Sequence, residues 1–75
     1  MTRARITLYT RDGCPHCERV RAELAASGER VTEVNLTREP QAITELLKVT
    51  GGARIVPVVV RGTTIEIAPS GGTEF

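Results

Sequence analysis

The sequence has few residues that bind transition metals. Its 75 residues include two cysteines and one histidine. A closed structural zinc site needs a full tetrahedral set of Cys or His ligands, and no second cysteine pair or second histidine is present to complete one. We therefore do not expect a zinc site within one chain. Binding of a metal ion or cluster between two chains remains an alternative.

The sequence also lacks a long apolar run and an excess of charge of one sign. Ten basic and nine acidic residues are interspersed and give a net charge of +1, without the basic patch of a nucleic-acid-binding protein. No stretch approaches membrane-spanning length, and Met1–Arg5 leads into a short strand-like run instead of an apolar signal region. We expect a cytoplasmic protein that binds neither nucleic acid nor membrane.

The composition is that of a small globular protein. Apolar residues make up 40% and charged residues 25% of the chain. A chain of this length can bury one small core, so we predict a single domain over residues 1–75.

The two cysteines stand three positions apart, in the segment Cys14-Pro15-His16-Cys17. Strand-forming residues precede this segment at 6–10, and helix-forming residues follow it at 18–26. A Cys-x-x-Cys pair at a strand-to-helix junction is typical of a thioredoxin-like dithiol site. A purely structural disulfide is a weaker interpretation, because closing so short a loop constrains little of the unfolded chain. We predict a redox role for the pair.

The expected helix assigns different roles to the two cysteines. Cys14 falls at the N-cap, where the helix dipole and free N–H groups stabilise a thiolate, and Pro15 suits the first helical position. Cys17 lies one turn later on the same side. We predict that Cys14 is the nucleophile and Cys17 the resolving thiol. His16 and Arg11 add positive charge that favours the thiolate.

The rest of the chain predicts a β-α-β-α-β-β order, an α/β domain with a mixed four-stranded sheet. A strand is predicted at 6–10 and an edge strand at 30–36, with a helix between them at 15–26 that buries Cys17, Val20, Leu24 and Ala25. A second helix, capped by Thr37 with Pro40 in its first turn, is predicted to bury Ala42, Ile43, Leu46, Leu47 and Val49. A hairpin follows, with strands at 55–60 and 63–67 and its turn at Arg61-Gly62. Pro57 is the anomaly, because a proline within a strand belongs at its start or at an edge.

With these elements, the chain resembles the glutaredoxins, a branch of the thioredoxin fold. The run from Tyr9 to Cys17 is similar to the active-site opening of that family, in which Arg11 takes the place of a basic residue. The segment Ile55-Val56-Pro57 is similar to the Thr-Val-Pro of the family. The resemblance implies that Pro57 is a cis-proline opposite the dithiol and that the Val56 backbone pairs with a bound peptide or glutathione.

The end of the sequence resembles the family only in part. Gly71-Gly72-Thr73-Glu74 is similar to the Gly-Gly-x-acid segment that holds the γ-glutamyl end of glutathione, but it comes a few residues later after Pro57 than is usual. The final helix of the family has no counterpart, so we expect it to be missing or vestigial. Without it, apolar residues of the hairpin would be bare on the side of the first helix: Val58, Val60, Ile65 and Ile67. We expect either that the tail at 68–75 folds back with Phe75 as a plug, or that two chains pair through this face.

Three functions follow from the resemblance. In the first, a glutaredoxin-like thiol-disulfide oxidoreductase reduces disulfide-containing proteins or glutathione mixed disulfides, with glutathione as co-substrate and no tightly bound cofactor. In the second, the dithiol takes electrons from thioredoxin reductase and serves ribonucleotide reductase. In the third, two chains share an iron-sulfur cluster through Cys14, with glutathione as co-ligand; Pro15 counts against this. The guanidinium of Arg11, which can pair with the glycyl carboxylate, places glutathione narrowly ahead as the electron donor.

Overall fold

The computed structural model describes residues 5–69 and 71–75, which form a mixed four-stranded sheet with helices on its two faces. The elements are β1 (Ile6–Thr10), α1 (Pro15–Ala26), β2 (Val31–Asn35), α2 (Ala42–Thr50), β3 (Ile55–Val56), β4 (Val58–Arg61), β5 (Thr64–Ile67) and β6 (Thr73–Glu74). The strand order is β2-β1-β4-β5, with β1 parallel to β2 and antiparallel to β4. The predicted α/β architecture and the edge position of β2 are confirmed. Within the described residues, neither helix is long and apolar enough to cross a membrane.

The alternation of β1 divides the core into two layers. Ile6 and Leu8 pack on the α1 side of the sheet, together with Val20, Leu24 and Val59. Tyr9 points to the other side, where it joins a cluster with α2 and the dithiol: Cys14, Cys17, Leu36, Leu46, Val56 and Val58. The dithiol is therefore built into the core beneath α2 and does not stand apart on a surface loop.

The first helix follows the prediction and the second departs from it. α1 has the predicted bounds and buries Cys17, Val20 and Leu24, but Ala25 is exposed. α2 begins only at Ala42, and its N-cap residue, Gln41, makes no side-chain capping bond.

The prediction that Thr37 caps the second helix is wrong. A turn follows β2, in which the N–H groups of Arg38 and Glu39 donate to the carbonyl of Asn35. The Thr37 hydroxyl accepts instead from the backbone N–H of Asp12, at 3.1 Å. Thr37 therefore ties this turn to the loop that leads into the dithiol. Leu46 of the predicted stripe is fully buried, and the rest is half-buried: Ala42, Ile43, Leu47 and Val49.

Pro57 divides the predicted apolar strand into β3 and β4. Proline has no N–H to donate to a ladder, and the Val56–Pro57 peptide is cis. β4 then pairs with β1 and β5, while β3 pairs with β6. The hairpin turn falls at residues 62–63, one position later than predicted, because Arg61 completes β4 opposite Thr64.

The expectation of bare apolar residues on the α1 side is wrong. Strand register places Val58 opposite Ile67 and Val60 opposite Ile65, so all four lie on the α2 side of the sheet. Val58 is buried and Val60 half-buried there, whereas Ile65 and Ile67 are 43% and 41% exposed.

The α1 side of the same hairpin is polar. Arg61 bonds to Glu29 at 2.8 Å and to Glu66 at 3.1 Å. On this side Val59 is buried against α1, and no helix follows β5 in the described part of the chain. The predicted fold-back of the tail is confirmed, but β6 and Phe75 lie at the dithiol end of the sheet and not over α1.

The burial of Leu46 yields a test of the core. Leu46→Ala removes a side chain with no solvent exposure that contacts the dithiol layer, so we expect a loss of about 2–5 kcal/mol in the free energy of unfolding. Ile65→Ala, at a position 43% exposed, is the matched control and should cost less than about 1 kcal/mol. Urea denaturation measures both, and equal losses would contradict this account of the core.

Candidate active site

The loop before α1 places Cys14 at the helix N-terminus. Gly13 has φ +76, a left-handed conformation that turns the chain out of β1. Cys14 is extended, with φ −100 and ψ 106, and is the N-cap of α1, with Pro15 as the first helical residue. Its Sγ accepts a hydrogen bond from the backbone N–H of Cys17 at 3.3 Å. The predicted N-cap position of Cys14 is confirmed.

Both cysteines are free thiols with little contact with solvent. Cys14 is 3% exposed and Cys17 is fully buried. Burial of Cys14 comes from the strand pair β3–β6, which lies against it. The Thr73 hydroxyl oxygen is 3.4 Å from Cys14 Sγ, and the Val56 carbonyl oxygen is 4.0 Å away.

The surroundings of Cys14 favour its thiolate. Burial by itself raises the pKa of Cys14, but hydrogen bonds outweigh burial and hold the pKa below its ordinary value. The bonds come from the side chains of Cys17 and Thr73 and from the backbone N–H groups of Cys17 and His16. Groups that donate to a charged sulfur stabilise it relative to the thiol.

Cys17 is held in the opposite state. Burial, followed by its side-chain hydrogen bond to Cys14 and the negative charge there, raises the pKa of Cys17 to about 12. The pair therefore contains one thiol that ionises more easily than an ordinary cysteine, Cys14, and one that stays protonated near neutral pH, Cys17. Such a division is what a nucleophile and a resolving thiol require.

Val56 and Pro57 lie where the resemblance implied. Both are buried, their peptide bond is cis, and the Val56 carbonyl faces Cys14. In β6, Thr73 pairs with Val56 and Glu74 pairs with Ile55. The edge of β3 that was expected to pair with a bound peptide or glutathione is therefore paired with the chain itself.

Gly71 and Gly72 fit closely against the site. A Cβ added at Gly71 would lie 3.1 Å from His16 Cε1, and one added at Gly72 would lie 2.5 Å from the Val56 carbonyl oxygen. Only glycine at position 72 lets the tail approach this strand. The His16 ring is thus beside Gly71, and its predicted effect on the thiolate through charge stays a prediction.

Arg11 contacts an aromatic ring at the rim of the site. Its guanidinium lies 5.3 Å from the centre of the Phe75 ring, and that of Arg54 lies 5.1 Å from the same centre. Each is a cation–π contact. Arg54 also donates from Nε to the Phe75 carbonyl and accepts from the Phe75 N–H on its own carbonyl, both at 3.0 Å.

Sequence reasoning missed the contacts of Arg54 with Phe75 and the contact of Thr73 with Cys14. A signal existed for Arg54, which is a basic residue directly before Ile55-Val56-Pro57. No sequence signal indicates that Thr73 reaches the sulfur, because the contact depends on the pairing of β3 with β6. Across residues 5–69 and 71–75, no group of three or more His, Cys, Asp or Glu side chains could hold a metal ion.

The two pKa shifts predict how the thiols titrate. In reduced protein, the Cys14 thiolate should form at a pH below the ordinary pKa of a cysteine, and Cys17 should stay protonated until the pH nears its pKa of about 12. Ultraviolet absorbance of the thiolate measures both steps. Cys14→Ser should remove the low step, and its survival in that variant would contradict the assignment.

Comparisons with known proteins agree with this geometry. The sequence model of the Glutaredoxin family matches residues 6–65. Gene 56 protein of Mycobacterium phage L5 is 43% identical over 60 residues, which are 80% of this chain and 57% of that protein, so the chain spans a little over half the length of this relative.

Two solved structures are also similar. The glutaredoxin grx-1 of Archaeoglobus fulgidus has a TM-score of 0.78 at 24% identity over 95% of this chain and 77% of its own, and it shares the fold. The glutaredoxin-like NrdH-redoxin of Escherichia coli, described as having a thioredoxin-like activity profile, has a TM-score of 0.71 at 33% identity over 84% of this chain and 80% of its own. The chain therefore belongs to the glutaredoxin family, with its thioredoxin-like fold, and its two cysteines, Cys14 and Cys17, lie close together at the start of α1.

Proposed function

We propose that this protein reduces disulfides in other proteins, with Cys14 as the nucleophile and Cys17 as the resolving thiol. The observation that carries the proposal is the position of Cys14 Sγ at the N-terminus of α1, bonded to the N–H of Cys17. A sulfur in this position is stabilised as a thiolate, and the thiolate is the form that attacks disulfides.

The reaction has two exchange steps. The Cys14 thiolate attacks one sulfur of the substrate disulfide, and a mixed disulfide forms while the other substrate sulfur leaves as a thiolate and takes up a proton. Cys17 then loses its proton and attacks Cys14 Sγ, which releases the second substrate thiol. The substrate gains two electrons and two protons, and the Cys14–Cys17 disulfide that remains must be reduced by a donor.

The structure supports an order for these steps. Burial raises the pKa of Cys17 most, but its hydrogen bond to Cys14 and the charge there also contribute. Once Cys14 is joined to a substrate it carries no charge, so that part of the increase disappears. Cys17 then ionises more easily, and its attack follows formation of the mixed disulfide.

As the electron donor we propose thioredoxin reductase ahead of glutathione, the reverse of the order that the sequence favoured. β6 pairs with the edge of β3 that glutathione would use, and the chain at Gly72 runs so near this strand that an added Cβ would meet the Val56 carbonyl oxygen. Likeness to a redoxin with a thioredoxin-like activity profile supports the same donor. An enzyme such as ribonucleotide reductase would then be the substrate whose disulfide this protein reduces.

Glutathione is the second candidate. Arg11 and Arg54 bring two guanidinium groups to the ring of Phe75 at the rim of the site. Guanidinium groups bind carboxylates well, and glutathione carries two. If β6 separates from β3, both arginines are placed to receive it.

The donor is tested by reducing insulin disulfides with the protein as the catalyst. NADPH consumption is followed with thioredoxin reductase in one arm, and with glutathione plus glutathione reductase in the other. We expect the first arm to be faster by about tenfold or more, a difference of ~1.4 kcal/mol in the barrier. A faster glutathione arm would reverse the assignment of the donor.

The roles of the two cysteines are tested by single substitutions. Cys14→Ser should abolish disulfide exchange with every substrate, because the nucleophile is lost. Cys17→Ser should keep the first step and accumulate a mixed disulfide with the substrate, which mass spectrometry detects as an added substrate mass. Activity in Cys14→Ser together with a dead Cys17→Ser would show that the roles are exchanged.

A further inference from the structure

The contact between Thr73 and Cys14 joins two distant parts of the chain. Thr73 lies on β6, 59 residues after Cys14, and its Oγ1 is 3.4 Å from Sγ. Among the described residues, the polar side chains bonded to this sulfur are those of Thr73 and Cys17. The other partners of the sulfur belong to the backbone.

Four features fix the position of the Thr73 hydroxyl. Its backbone pairs with Val56, and the next residue pairs with Ile55. Beyond them, Phe75 and Arg54 bond to each other through both backbone and side-chain groups at 3.0 Å. Before them, Gly72 permits close approach to the Val56 carbonyl. Thr73 itself is β-branched, which restricts its χ1 and limits where the hydroxyl can point.

We propose that Thr73 is a catalytic residue of the dithiol site, whose hydroxyl donates a hydrogen bond to the Cys14 thiolate of the reduced protein. This inference rests on the dithiol function proposed above. The resemblance implied that Thr73 contacts glutathione, whereas here Thr73 stabilises the sulfur of Cys14. In the thiol form, Sγ–H donates to Thr73 Oγ1. When the proton leaves, the hydroxyl rotates and donates in return.

The bond acts differently on the two redox states. The thiolate accepts strongly from a hydroxyl, because hydrogen bonds to a charged group are stronger than those between neutral groups. A disulfide sulfur carries no charge and accepts weakly. Thr73 therefore stabilises reduced over oxidised protein, lowers the pKa of Cys14, and makes the dithiol a weaker reductant.

The test compares variants of the full chain. Thr73→Val removes the hydroxyl and keeps the shape and strand preference of the side chain, whereas Thr73→Ser keeps the hydroxyl. Thr64→Val, on the exposed edge strand β5, is the matched control for loss of a strand threonine. Gly72→Ala perturbs the same contact independently, because its Cβ would meet the Val56 carbonyl and push β6 away.

The measurements are the Cys14 pKa, from the pH dependence of alkylation by iodoacetamide, and the equilibrium potential against a dithiothreitol buffer. In Thr73→Val we expect a pKa about one unit higher and, at pH values below the wild-type pKa, an alkylation rate about threefold lower, because tenfold less thiolate is partly offset by its greater nucleophilicity. The rate at high pH should rise, because a more basic thiolate is the better nucleophile. The potential should become more negative.

The pattern across the variants decides the outcome. Thr73→Ser should restore a pKa near that of the wild type, Gly72→Ala should behave like Thr73→Val, and Thr64→Val should change nothing. An unchanged pKa in Thr73→Val, or equal shifts in the Ser and Val variants, would overturn the proposal. Thr73→Ala, which avoids crowding the sulfur, carries the same prediction if the Val variant melts early.

These measurements need neither an electron donor nor a protein substrate. A pKa shift in a protein that no donor reduces would retain the role of Thr73 and reject the proposed function. Normal turnover with an unchanged pKa would do the reverse.

Discussion

The structure depends on the hydrogen bond from the Cys17 N–H to Cys14 Sγ at the start of α1. This one contact caps the helix with a sulfur, provides an acceptor for a backbone N–H that has no partner within the helix, and stabilises negative charge on Cys14 Sγ. It also ties chemistry to packing, because the helix that carries Cys14 is held on the sheet by Val20 and Leu24.

The missing N–H of Pro57 organises the other half of the site. Because proline cannot donate a backbone hydrogen bond, the apolar run is divided after Val56 into β3 and β4, and the edge of β3 lies beside Cys14. β6 occupies that edge and brings Thr73 to the sulfur. The same pairing leaves Cys14 only 3% exposed. One segment, β6, therefore both shields the Cys14 sulfur from solvent and brings a hydroxyl group to it.

The two faces of the β4–β5 hairpin differ in polarity. On the α1 side of the hairpin, Arg61 forms ion pairs with Glu29 and Glu66, and these side chains are partly exposed to water. On the α2 side, Ile65 and Ile67 stay partly exposed while Val58 is buried. Strand register decides which residues lie on each face, because a shift of one residue would bring Arg61 and Val59 to the face that Val58 and Val60 occupy.

Local sequence determined several features of this protein. The missing N–H of Pro57 divides the apolar run that was predicted as one strand, and β1, the bounds of α1 and the N-cap position of Cys14 follow from short-range rules on strand formers and helix termini. The late start of α2 did not, because Thr37 bonds to Asp12, a partner 25 residues away. The face on which Val60 and Ile65 lie, and the contact of Thr73 with Cys14, were likewise decided by tertiary structure. Those features depend on which strands pair and in what register, and such pairing joins residues whose separation leaves no local pattern to read.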